Sequence, residues 1–331
     1  LANDAFKNDT TAPVVVTYTV VPVSAEGCVG QPFYVYVTVS PQAVVAPQVI
    51  TICSDVALGV NFNSSTSVAA ATYNVTALNL RGLTVSPGTN AAVANGLLAT
   101  DLANDAFTNT TNAPVNVDYT VVPVTALGCK GEPFTVTVTV DPEPVVANQA
   151  VTICSDVAIN LVLGNDSDGP SAATYNITAI NPSGLVSSAG FPVTGTGFTA
   201  NELFNDAWTN KTSAPVNVVY TVVPVSSLGC KGNPFTVTVT VKPEPVVLNQ
   251  TITVCSDITT NLLLGSDVDG PSVASYSITN INSNTLVSSA GLPVTGTGLA
   301  ANELFNDAWT NNTSASVNVV YTVVPLGVNG C

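Results

Sequence analysis

A strict internal repeat constrains this chain more than any other feature of its 331 residues. Two sets of cysteines and one set of tyrosines recur at intervals of 101 residues: Cys28, Cys129, Cys230 and Cys331; Cys53, Cys154 and Cys255; and Tyr18, Tyr119, Tyr220 and Tyr321. A period of this length means that one folding unit is copied along the chain. The sequence holds three periods and 28 further residues, so we predict about three domains and part of another.

Proline-rich segments divide the copies. They begin at Pro41, Pro142 and Pro243 and suit short, stiff linkers. We therefore predict the C-terminal part of a cut repeat at residues 1–40, a first repeat at 41–141, a second at 142–242 and a third at 243–331 that is cut at its C-terminal end.

Each copy alternates apolar and polar residues with the period of a β-strand. The segment "APVNVVYTVVPV" from Ala214 is followed by a "GCKGNPF" turn and then by "TVTVTV" from Thr236, which predicts a hairpin of half-buried antiparallel strands. About seven short strands per copy, without helical periodicity, predict an all-β immunoglobulin-like sandwich. Four aromatic residues share one register and are expected in the core: Phe6, Phe107, Trp208 and Trp309.

Composition excludes several classes of function. The net charge is −15 with only six Lys and Arg, so nucleic acids and anionic membrane surfaces are poor partners. The chain has no histidine, which removes the commonest general base and the usual zinc ligand. Thr, Asn and Pro interrupt every apolar run, so no membrane span is expected in this window. We predict that the chain is not an enzyme.

Two segments carry a resemblance to a known family. They are "TNKTSAPVNVVYTVVP" and "GCKGNPFTVTVTV", and the pattern around them covers almost the whole chain. It resembles the PKD-like, Ig-like repeats found in tandem in very large cell-surface proteins of Bacteroidota, including SprB-like gliding-motility adhesins exported by the type IX system. The family usually has Gly after "ICS", where this chain has Asp55, Asp156 and Asp257.

Seven cysteines in an acidic all-β chain predict disulfides and an oxidising, extracellular location. Two pairings fit the period. Because the first and last strands of an Ig-like sandwich commonly lie side by side, we favour bonds within a repeat: Cys53 to Cys129, Cys154 to Cys230 and Cys255 to Cys331. Bonds across the linker, with Cys28 joined to Cys53 and so on along the chain, stay open as the alternative.

An acidic turn in the second and third repeats could bind calcium. It contains Asp166 and Asp168 in "NDSDG", and Asp267 and Asp269 in "SDVDG". Alternating carboxylates before a glycine are typical of calcium loops, but a good site needs six to eight oxygen ligands. The first repeat lacks both aspartates, so we expect turns that need no cofactor, with weak calcium binding as the alternative.

These patterns together favour a structural role. We predict a shaft segment of an extracellular bacterial surface adhesin or filament that acts in adhesion or gliding motility. Its expected partners are neighbouring repeats of the same chain and further copies in a fibre. A glycan- or surface-binding repeat and an accessory stalk of a secreted enzyme are the alternatives.

Overall fold

The structure, a computed structural model, describes residues 3–60, 62, 67–164, 169–265 and 270–331. The chain forms two compact units. Unit 1 comprises the described residues of 1–145, 165–173 and 225–233, and unit 2 comprises those of 146–164, 174–224 and 234–331. The repeat boundaries expected at residues 41, 142 and 243 stay predictions.

Short strands account for most of the regular structure in residues 3–145. The elements are β1 (Val14–Val20), β2 (Phe33–Val39), β3 (Gln48–Cys53), β4 (Ala70–Asn79), β5 (Thr84–Val85), α1 (Ala99–Ala103), β6 (Phe107–Thr108), β7 (Val115–Thr125) and β8 (Phe134–Asp141). The strands β1 and β2 form a two-stranded sheet, β3-β8-β7-β4 form a four-stranded sheet, and β5 pairs with β6.

The same plan recurs in the second and third repeats. The elements are β9 (Gln149–Cys154), β10 (Ala172–Asn181), β11 (Val186–Ala189), β12 (Gly195–Phe198), β13 (Ala207–Thr209), β14 (Val216–Ser226), β15 (Phe235–Lys242), β16 (Val273–Asn282), β17 (Val287–Ala290), β18 (Gly296–Leu299), β19 (Ala308–Thr310) and β20 (Val320–Gly327). Their sheets are β12-β10-β14-β15-β9 and β11-β13 in the second repeat, and β18-β16-β20 and β17-β19 in the third. No helix among the described residues is long and apolar enough to cross a membrane.

The predicted all-β, Ig-like sandwich is confirmed. The Val/Thr runs form the antiparallel hairpins β7–β8 and β14–β15, with valines of each strand buried and threonines turned outward. The first strand of a repeat lies beside the last, since β3 pairs with β8 and β9 pairs with β15, both in parallel. In the first repeat the core joins Phe107 and Leu102 to valines of β7 and β8, so apolar burial holds the two layers together.

The third repeat differs from the other two in one respect. Its main sheet has three strands among the described residues, and residues 250–255 form no strand. The equivalent residues of the second repeat form β9 because they pair with β15. The described part of the third repeat supplies no strand in that place.

Candidate functional site

Two disulfides join the first strand of one repeat to the hairpin turn of the next. Cys53 is bonded to Cys230 and Cys154 to Cys331, each with a Cα–Cα distance of 5.5 Å and a sequence separation of 177 residues. The cysteines without a disulfide are Cys28, Cys129 and Cys255. Disulfide bonding itself was predicted correctly, but both predicted sets of partners were wrong.

The direction of strand pairing explains the error. Because β3 and β8 are parallel, Cys53 at the end of β3 lies opposite Asp141 at the end of β8. Cys129 lies in the turn before β8, at the other end of that strand. An eight-residue strand is roughly 25 Å long, and a disulfide requires Cα atoms within about 7 Å. First and last strands are neighbours, as expected, but their cysteines lie at opposite ends of the sheet.

The turn that carries Cys230 is tightly built. Ser226 donates its backbone N–H to the Cys230 carbonyl at 2.8 Å, and its hydroxyl accepts the Cys230 N–H at 3.1 Å. Cys230 is fully buried, with its Sγ 3.9 Å from the carbonyl oxygen of Asp141. In unit 2 the equivalent turn is anchored by Asn329, whose Nδ2 donates to the Pro243 carbonyl at 2.7 Å. Each disulfide therefore holds a hairpin turn to the end of the first strand of a repeat, which is β3 in unit 1 and β9 in unit 2.

The predicted acidic turns fall outside the described residues. This applies to Asp166, Asp168, Asp267 and Asp269, so turns that need no cofactor stay the prediction there and weak calcium binding stays the alternative. The glycines that follow are described, and each has a positive φ, +83° for Gly169 and +101° for Gly270. A Cβ on either would come within 3.0 Å of a linker carbonyl, that of Glu143 or Glu244, so a side chain would not fit there.

The aspartate after "ICS" adopts the backbone conformation that a glycine favours. φ is +59° at Asp55, +61° at Asp156 and +64° at Asp257. The carboxylate also fixes the facing strand, because Asp55 Oδ1 accepts hydrogen bonds of 2.6 Å from both Ser86 and Thr108. The aspartate thus forms the turn that a glycine would form, and its carboxylate adds a hydrogen-bond acceptor.

The Asn-x-Thr motifs have an internal structural role. Asn109 and Asn210 are each only 2% exposed. Asn210 Nδ2 donates to the carbonyls of Ala214 (3.0 Å) and Val241 (2.8 Å), and its Oδ1 accepts from the N–H and hydroxyl of Thr212. This network ties the start of β14 to the end of β15, so these two amides are not available for glycosylation.

A buried polar triad joins the second layer to the main sheet. Tyr220 donates its hydroxyl proton to Asp206 Oδ2 at 2.9 Å and accepts from Trp208 Nε1 at 3.1 Å. Trp208 and Phe107 lie in the core, as predicted, whereas Phe6 is 44% exposed and Trp309 is only partly buried, so the prediction is wrong for Phe6. Burial, with a smaller contribution from the charge of Glu202, raises the pKa of Asp206 from 3.8 to about 6.

This raised pKa predicts a pH-dependent stability. The folded unit keeps a proton on Asp206 that the unfolded chain has released, so the stabilisation is complete below about pH 4 and is lost as the pH rises through 6. Between pH 4 and 7, Asp206 should lower the free energy of unfolding of the wild type by about 2 kcal/mol. The Asp206→Asn variant should lack this decrease. Urea unfolding at pH 4 and 7 measures it, with Asp9→Asn at an exposed position as the control. Equal pH profiles for wild type and D206N would contradict the assignment.

The described residues contain no cluster of three or more His, Cys, Asp or Glu side chains that could hold a metal ion. The chemistry that this site offers is disulfide bonding. Each repeat contributes a first-strand cysteine and a hairpin cysteine at fixed positions, and the two observed bonds use both kinds.

Solved structures of other proteins show only low similarity to this chain. The fibronectin(III)-like modules of Clostridium thermocellum CbhA are 17% identical, with a TM-score of 0.20, over 60% of this chain and 91% of theirs. Drosophila N-cadherin EC1-4 is 11% identical, with a TM-score of 0.24, over 95% and 80%. Bacteroides ovatus SGBP-B, solved with a mixed-linkage heptasaccharide, is 16% identical, with a TM-score of 0.17, over 97% and 78%. Similarity at this level carries no argument about fold or function, and no curated protein matches this chain significantly.

A family model gives a clearer result. The model of the PKD-like domain matches three successive segments, residues 1–43, 50–144 and 151–245. The matches follow the repeat that the cysteines mark, and they cover well over half of the sequence. The chain belongs to the PKD-like domain family.

Proposed function

We propose that this chain is a shaft segment of an extracellular bacterial surface adhesin or filament, and that its repeats transmit tension in adhesion or gliding motility. The resemblance to SprB-like adhesins of Bacteroidota, exported by the type IX system, supports this assignment. Ig-like repeats of this kind are generally non-catalytic, and disulfides in such a fold indicate an extracellular or secreted protein.

The overlap of the two disulfides is the observation that carries the proposal. One bond closes residues 53–230 and the other closes residues 154–331, so residues 154–230 belong to both covalent loops. Tension applied to the chain ends passes through the bonds and leaves much of the backbone unloaded. A binding module needs only a stable fold, whereas a shaft gains from covalent links that run from one repeat to the next.

Electron microscopy of native cells tests the assignment. Gold-labelled antibodies against the chain should decorate threads that extend from intact cells, and a reductant should lengthen or break these threads under flow. Labelling confined to the cell interior, or to material free in the medium, would contradict the proposal.

One surface feature favours a second function, glycan binding by the N-terminal segment. Tyr34 and Tyr36 replace the outward threonines of the other copies and are 59% and 66% exposed. Their ring centroids are 6.3 Å apart and their planes differ by 28°. Cross-strand Thr17 and Thr19 lie opposite them and present hydroxyl groups. Exposed aromatic faces beside hydroxyls suit neutral sugar rings.

Affinity electrophoresis in neutral polysaccharides tests this second function. We expect the chain to be retarded and the double variant Y34T/Y36T, which restores the residues of the other repeats, to lose retardation by roughly tenfold in affinity. Thr38→Ala, on the same outward face, is the control. Equal migration of wild type and Y34T/Y36T in every polysaccharide would reject glycan binding at this pair.

A further inference from the structure

We propose that copies of this chain associate side by side through an apolar face that the second and third repeats share. The partner is a second copy of the same chain. The inference rests on the proposed function, because it names the face through which neighbouring shafts would meet. The face consists of three exposed side chains in each repeat: Val186, Phe191 and Val193 in the second, and Val287, Leu292 and Val294 in the third.

The exposure of this face repeats in register. Phe191 is 86% exposed and its counterpart Leu292 is 84% exposed, and the second repeat shows this exposure although the sequence continues into another repeat on each side of it. Single exposed apolar residues are common on protein surfaces. Three of them within residues 186–193, and again within residues 287–294, form a patch of the kind that marks an interaction surface.

The turn that presents Phe191 is held in place. The backbone N–H of Phe191 donates to the Asp206 carboxylate, and Gly190 before it has a φ of +73°. A Cβ on Gly190 would collide with Asp206, and Gly291 is packed against Asp307 in the same way. A side chain that is already fixed in its exposed position loses little conformational entropy when a partner covers it.

The first repeat folds the same turn without the apolar side chain. Thr89 follows Gly88, as Phe191 follows Gly190, and both glycines have a positive φ. The Thr89 hydroxyl donates to the Ser86 carbonyl at 2.9 Å. The turn therefore does not need a large apolar residue at this position, and Phe191→Thr is a substitution that the fold accepts.

Charge favours a second copy as the partner. Residues 169–201 and 270–302 contain no Lys, Arg, Asp or Glu, although the chain has a net charge of −15. Copies of an acidic chain repel each other, so their association is least opposed at a face without charges. A second copy also carries two such faces with the same spacing, so one contact brings the other pair together and both add to the affinity.

Sedimentation velocity on the full chain, with the free cysteines alkylated, tests the inference. We expect concentration-dependent association, which F191T/L292T should weaken by roughly tenfold or more because two large apolar side chains per copy leave the contact. The matched control is V49T/L127T, which removes two side chains of similar exposure, 79% and 71%, from other parts of the chain. This control should associate as the wild type does, and thermal unfolding shows that both variants remain folded.

Photo-crosslinking locates the contact while an aromatic side chain stays at its centre. With Phe191 replaced by p-benzoylphenylalanine, irradiation of mixed isotope-labelled and unlabelled chains should join position 191 to residues 185–198 or 286–299 of another copy. The same group in place of Leu127 should give no such product.

Three results would overturn the proposal: a chain that is monomeric at every concentration, association that F191T/L292T does not weaken, or crosslinks from position 191 to other segments. None of them would contradict the shaft assignment, because a single thread is also a shaft and the gold labelling of cells tests it separately.

Discussion

Removing the bond between Cys53 and Cys230 by the double substitution C53A/C230A lowers the free energy of unfolding of unit 1 by about 5 kcal/mol. This value follows from the loop-closure entropy of a 177-residue separation. The corresponding drop in melting temperature is roughly 10–20 °C for a unit of this size. Alanine is preferred to serine because Cys230 is fully buried and a hydroxyl there would need a partner.

Cys129 provides the matched control for this prediction. It occupies the same turn position as Cys230 one repeat earlier, but it has no disulfide. Cys129→Ala should therefore leave the melting temperature nearly unchanged, and C154A/C331A should destabilise unit 2 as C53A/C230A destabilises unit 1. Calorimetry of the three variants gives the comparison. Equal effects of C129A and C53A/C230A would contradict the observed pairing.

Asn210→Ala should destabilise unit 2 by about 3 kcal/mol, because it removes four hydrogen bonds and leaves the buried Val241 carbonyl without one of its donors. When one partner of a buried hydrogen bond is removed, the other partner stays buried without a hydrogen bond, and stability falls by the full desolvation penalty of that group. Urea unfolding of the variant measures the effect.

The third repeat contains the control for this substitution. Asn311 makes the same local bonds, to Ala315 and Thr313, but its network lies at an exposed position and has no bond to a last strand within the part of the chain that the structure describes. Asn311→Ala should cost about 1 kcal/mol or less. A loss at Asn311 as large as that at Asn210 would show that the local turn, and not the tie to β15, provides the stability.

The local alternation of apolar and polar residues was enough to predict the strands and which of their faces lies in the core. The Val/Thr alternation of "TVTVTV" fixes which residues face the core, and the turn between the two runs fixes the hairpin. The register shared by Phe107 and Trp208 placed both in the core correctly. These features depend on neighbours close in sequence, and an alternating pattern encodes them directly.

Features set by distant parts of the chain were not predictable in the same way. Residues 250–255 and β9 have nearly the same sequence, but among the described residues β9 pairs with β15 and residues 250–255 pair with no strand. The direction of pairing between β3 and β8 likewise decides which cysteines can meet, and composition carries no signal for it. The sequence carries a signal for one local feature, because Asp55 stands where the family usually has Gly, which indicates a positive φ.

Stretching single molecules by their two ends tests the central claim, that the disulfides connect repeats and carry tension. In the oxidised chain the shortest covalent path runs through 52 residues to Cys53, across to Cys230, back through 76 residues to Cys154 and across to Cys331, which makes 128 residue steps. At about 3.5 Å per residue the extended length is about 450 Å, compared with about 1,150 Å after reduction.

The same measurement separates the rejected pairings. Bonds within each repeat would leave 102 residue steps, or about 360 Å, and bonds across each linker would leave 255 residue steps, or about 890 Å. We predict about 450 Å for the oxidised chain and more than twice that length once a reductant is added. An oxidised length near 360 or 890 Å, or one that reduction does not change, would contradict the account.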